Sequence, residues 1–134
     1  MISQSSLSSE IYDALYQAKE TIDNEFQEVL GWITDIRENP DRAKRTYCEI
    51  CGHSGMGLEI HHVRGRKYGN ERITVSKECH KILTDKQRLW NYNNSDNLFN
   101  RGMIDICTLK HIKTGFDVYR QIAENLTASF KVRL

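Results

Sequence analysis

Cysteine and histidine are the side chains of this chain best suited to holding a metal ion or moving a proton near neutral pH, and most of them are bunched. Cys48, Cys51, His53, His61, His62, Cys79 and His80 fall within little more than thirty residues, while Cys107 and His111 stand apart. In an intracellular chain a C-x-x-C pair binds metal or does redox work more often than it forms a structural disulfide. Thioredoxin-like chemistry needs the pair between a strand and a helix of a βαβ unit, and no such alternation surrounds Cys48 and Cys51. Metal binding is therefore expected there. Histidine has the unperturbed pKa nearest neutrality, which suits it to activating water or holding a metal. His61 and His62 are adjacent, so on a straight strand their side chains point to opposite faces. A twist at the strand end would let the two take different roles around one centre.

The elements that must position these residues can be read from periodicity. From Ser8 or Ser9 to Asn39, apolar residues Ile11, Leu15, Ala18, Ile22, Phe26, Val29, Ile33 and Ile36 recur at spacings of three and four, which predicts one long helix. Pro40 ends it by disfavouring helix at the residue before the ring. Leu58-Glu59-Ile60-His61-His62-Val63 alternates like a strand. Arg64 to Asn70 is a basic loop with two glycines, and Glu71 to Val75 fits a second strand. Cys79-His80-Lys81-Ile82-Leu83 begins a helix, and Thr84-x-x-Gln87 has the form of a capping box for a further turn. The polar run Asn91–Asn97 reads as a loop, and two helical patterns follow it. Glu59 shares a strand face with His61 and is read as exposed, with orientation of a ligand as the alternative. Trp32 and Trp90 are read as packing residues.

In order along the chain, Cys48-x-x-Cys51, Leu58-Glu59-Ile60-His61-His62-Val63, the basic loop with Asn70, and Cys79-His80 resemble the HNH nuclease family. The core of that family is two strands and a helix around a catalytic metal, the ββα-metal motif. The resemblance covers residues 47–84. It implies that His61 and His80 are ligands of a catalytic Mg²⁺ or Mn²⁺ ion and that His62 is the general base. It also implies that Cys48, Cys51 and Cys79 belong to a structural Zn²⁺ site, which calls for four ligands in a tetrahedron. Zinc-bearing relatives carry a second C-x-x-C here, and this chain has Ser76 where its first cysteine would stand. For the fourth ligand the candidates are His53, the nearer, and Cys107, with a site lacking metal as the remaining alternative. Asn70 stands one position early for the middle asparagine of the motif, and Arg64-Gly65-Arg66 follows the histidine pair in place of a proline.

Length and composition bound the rest. At 134 residues and 15.6 kDa, with 39% hydrophobic and 28% charged residues, the chain suits a single soluble domain. It divides into an N-terminal helix (1–40), a ββα core (46–90) and C-terminal helices (97–134), an α+β architecture. No apolar run is long enough to span a membrane, and MISQSSLSSEIYD lacks the pattern of a secretory signal, so a cytoplasmic location is expected. The formal charge of +1 hides a split: two basic residues face eight acids in residues 1–39, whereas eleven face six in residues 40–90. A basic middle segment fits a polyanionic partner. Arg64, Arg66, Lys67 and Arg72 lie where the backbone of double-stranded DNA would pass, with Lys44 and Arg45 extending the patch.

The resemblance implies an HNH endonuclease that hydrolyses DNA, and the basic middle segment agrees with such a partner. Each centre would cut one strand, or both strands in a homodimer paired through the N-terminal helix. The alternative is a zinc-stabilised, non-catalytic nucleic-acid-binding module. The long apolar stripe needs a partner surface, either the C-terminal helices of the same chain or a second copy.

Overall fold

A computed structural model describes residues 9–90 and 98–132. The described chain is mixed α+β, with helix α1 (Ser9–Glu38), strands β1 (Glu59–His62) and β2 (Arg72–Val75), and helices α2 (Lys77–Gln87), α3 (Leu98–Thr114) and α4 (Asp117–Val132). β1 and β2 form an antiparallel pair with Glu59 opposite Val75, His61 opposite Ile73 and His62 opposite Arg72. Helix α2 packs on both strands and α3 packs on α2.

The apolar spacing that predicts α1 divides into two halves. Val29 and Ile36 are buried, and Phe26, Trp32 and Ile33 pack against the same core as Val63, Ile73, Leu83, Met103 and Ile106. Earlier in the helix, Leu15 is 57% and Ile22 is 53% exposed. The stripe therefore serves the intrachain core only through its C-terminal half, where α1 meets α4. The helix ends at Glu38, just before Pro40, as the ring requires. Of its two expected N-cap residues, Ser8 lies outside the described residues, as does the expected loop over 91–97.

Helix α2 begins earlier than the sequence pattern indicates. Ser76 is its N-cap, with extended backbone and a side chain that accepts from the Cys79 N–H at 3.2 Å. The helix then continues without a break through Thr84, so the expected capping box there is not formed; Gln87 reaches back to β1 instead. Helices α3 and α4 turn at Gly115, whose φ of 74° is left-handed and favours glycine.

A buried ionic cluster ties α1, the cysteine segment and β2 together. The Glu49 carboxylate accepts from Arg42 (Nη1 at 2.9 Å, and Nη2), from Trp32 Nε1 at 3.1 Å and from the Thr74 N–H at 2.6 Å. Arg42 Nε also donates to Asp35 Oδ2 at 2.8 Å. Burial raises the Glu49 carboxyl, but Arg42 and the other donors outweigh it and hold it below the usual carboxylate range.

Candidate metal centre and histidine site

The C-x-x-C segment folds as a knuckle. Tyr47 bridges Ser54, the Cys48 N–H donates to His53 O at 2.7 Å, and the Gly52 N–H donates to Cys48 O at 2.9 Å. Gly52 takes a φ of 78°, which lets the chain turn back here without strain. The Cys51 N–H points at Cys48 Sγ (3.4 Å), and the first turn of α2 brings up Cys79. The three sulfurs lie within 4.8 Å of one another. Tetrahedral zinc with bonds of about 2.3 Å needs sulfurs about 3.8 Å apart, so small side-chain adjustments suffice to fit an ion of that kind. Burial raises the Cys48 thiol, but N–H donors from Cys51, Ser76 and Ile50 outweigh it and hold it at about 7. Burial, then the neighbouring thiolates, push Cys79 up to about 12. A bound cation would be expected to relieve that repulsion.

Among the described residues no other trio of cysteine, histidine and carboxylate side chains meets the same spacing. Cys107 does not join the trio; it is fully buried in the core, and burial pushes its thiol up to about 12. His53 is exposed and stands beside the cluster, at the edge of a cleft that Cys51 and Ser76 also line. Lys110, half enclosed by Trp32 and Tyr119 (4.3 and 5.0 Å from the ring centroids), donates to the Glu49 carbonyl inside the knuckle.

Of the three motif histidines, His61 and His80 come together and His62 faces elsewhere. His61 is 2% exposed, and its ring meets His80 edge-on at 5.5 Å between centroids. Burial, then charge on His80 and His62, push His61 down to about 3, so it is a neutral imidazole at physiological pH. Gln87 fastens this end of β1: its Nε2 donates to His62 O at 2.8 Å and stands 3.3 Å from His61 Nε2. His80 Nδ1 lies 2.9 Å from Glu59 Oε1. Glu59 is thus half-buried and engaged rather than exposed, and this contact orients the His80 ring.

His62, next along β1, lines a separate polar pocket of about 420 Å³ with Asp41, Arg66, Asn70 and Arg72. Burial lowers its pKa, and positive charge on Arg66, Arg72 and His80 lowers it further. Asn70, one position early for the motif, nevertheless reaches this pocket. The four basic residues expected to meet DNA divide. Arg64 is held by Glu71 through two hydrogen bonds of 2.8 and 2.9 Å. Arg66, Lys67 and Arg72 form no ion pair among the described residues, and the first two are exposed. Arg45 is drawn to Asp35, and Lys44 donates to Leu58 O.

Sequence reasoning misses Gln87 and the Arg42–Glu49 cluster, and for Glu59 it favours exposure over the orienting role that the contact with His80 fits. Glu59 carries the only local signal, its two-residue spacing from His61. The chain matches no protein-family model, no curated protein and no solved structure. No helix among the described residues is long and apolar enough to cross a membrane.

Proposed function

We propose that this protein is a metal-dependent endonuclease of the HNH type that hydrolyses DNA phosphodiester bonds. The observation that carries this reading is the division of labour along β1. His61 and His80 meet on the side of α2, while His62, held below its ordinary pKa, opens into a pocket that also carries Arg66 and Arg72. In the reaction, His62 accepts the proton of the attacking water as a neutral general base. Arg66 and Arg72 hold the scissile phosphate, and Lys67 adds contact to the flanking backbone. Glu59 fixes the ring of His80, and Gln87 fixes the strand end that carries His61 and His62. A divalent cation at His61 and His80 would stabilise charge developing at the phosphate. Two imidazoles beside a carboxylate favour Mn²⁺ or a softer ion over Mg²⁺.

Cys48, Cys51 and Cys79 bind structural Zn²⁺ in this reading and clamp the knuckle to α2. Two copies pair through the N-terminal half of α1, so that two single-strand centres act on one duplex. A zinc-stabilised nucleic-acid-binding module without catalysis is the second reading, and the near-complete burial of His61 favours it. A supercoiled-plasmid nicking assay with Mg²⁺, Mn²⁺ and EDTA, run beside His62→Ala, separates the two. The expected result is metal-dependent nicking that falls by about 10²-fold or more in the variant, the scale of a lost general base. Equal activity in both proteins would overturn the role of His62. Salt-sensitive DNA binding with no cleavage under any metal would favour the second reading.

A further inference from the structure

The three-cysteine cluster is open on one side. Cys48 and Cys79 are buried, whereas Cys51 is exposed at a cleft of about 560 Å³ that is also lined by His53, Gly57, Ser76, Lys77 and Glu78. An ion held by three thiolates directs its fourth tetrahedral bond away from the sulfurs. Among the described residues no histidine, cysteine or carboxylate side chain stands with the three sulfurs as a fourth ligand. Ser76 Oγ, 3.7 Å from Cys51 Sγ, already accepts from the Cys79 N–H as the cap of α2. Its neutral hydroxyl is also a poor partner for a thiolate-bound soft ion. His53 has its backbone pinned on both sides, by the Cys48 N–H on its carbonyl and by the Tyr47–Ser54 bridge beside it. Its ring lies outside the ligand cluster. Glu78 is paired with Lys113. Lys77 borders the same cleft, its stem lying where a side chain on Gly57 would have to go, and it brings positive charge.

We propose that the metal held by Cys48, Cys51 and Cys79 keeps an exchangeable fourth position facing this cleft, which takes a small thiolate and is otherwise filled by water. The inference rests on the zinc reading above. In the exchange the metal–water bond breaks, a metal–sulfur bond forms, and the proton of the incoming thiol passes to solvent. Nothing is oxidised or reduced.

The test is to load the full chain with Co²⁺, read the sulfur-to-cobalt charge-transfer absorption, and titrate 2-mercaptoethanol. The expected result is an absorption that rises by about one third, the ratio of four thiolates to three, and returns on dialysis. His53→Ala should respond as the wild type does, whereas Ser76→Cys should begin at the higher absorption and not respond. A wild type that does not respond, beside a His53→Ala variant that does, would make His53 the fourth ligand and overturn the proposal. So would silence in both. X-ray absorption of the zinc-loaded protein reads the same point without a probe. Three sulfurs and one oxygen in both wild type and His53→Ala support an open position, and imidazole scattering lost in the variant refutes it. Absence of any charge-transfer band with Co²⁺ would instead remove the metal reading itself.

Discussion

Glu49 carries a charge inside the core, and only its surroundings make that tolerable. An ionised carboxylate taken out of water costs several kcal/mol unless it is paired and its lone pairs are filled. Arg42, Trp32 and the Thr74 N–H do both. Arg42→Met should therefore cost about 3–5 kcal/mol, because it strands a buried charge. Urea unfolding should show it as a lower midpoint with an unchanged slope. Adding Glu49→Leu should recover only part of the loss, since the Thr74 N–H and the Trp32 indole would lose their acceptor, each at about 1–3 kcal/mol. The Glu49 carboxyl titrates below its usual range in the fold, so its contribution is present at neutral pH and fades as acid protonates it. A midpoint within experimental error of the wild type would show that the cluster carries no net stability.

At the scale of elements, legibility followed local pattern. The 3–4 spacing of α1 and the alternation around His61 and His62 are local, and both elements formed within one or two residues of expectation. The start of α2 was hidden because Ser76 occupies the place of a missing cysteine, although a serine followed by Lys77 and Glu78 is itself an N-cap signal. The Thr84 pattern failed for the opposite reason, since packing of α2 on the hairpin carried the helix through it. The partners of Glu59 and Gln87 lie more than twenty residues away, and only Glu59, two residues from His61, left a local trace. Gly102 is a further long-range requirement. It sits in α3 directly against Val63, and a methyl group there would overlap the Val63 carbonyl and side chain. A helical glycine otherwise gains from replacement by alanine. Here overpacking wins, and Gly102→Ala should destabilise by about 1–3 kcal/mol. The Val63 carbonyl also faces Gln87 Nε2 (3.3 Å), so the same variant should disturb the histidine strand. A thermal midpoint equal to or above that of the wild type would refute that close approach.

For the whole molecule, the question is what the unused half of α1 is for. Thirty residues of helix extend about 45 Å, and only the C-terminal half contributes to the core. Val29 and Ile36 pack there seven residues apart, and the same heptad spacing continues toward the N-terminus through Ile22 and Leu15, with Ala18 between those two. Glu10, Asp13, Glu20 and Asp23 fall on other positions of the helix, and Glu25, three residues after Ile22, is the one acid at a seam position. Most of the acidic charge that separates this segment from the basic middle of the chain then stays on the outside of a pair. Sedimentation of the wild type should therefore give twice the mass of the chain at micromolar concentration. Leu15→Glu combined with Ile22→Glu should sediment as a single folded chain, its thermal midpoint lowered only by the share that pairing contributes, because neither residue is part of the core. If the proposed endonuclease reading holds and each centre cuts one strand, that variant should still nick in the plasmid assay but should lose linear product. A wild type that sediments as a monomer while producing linear plasmid would overturn the pairing.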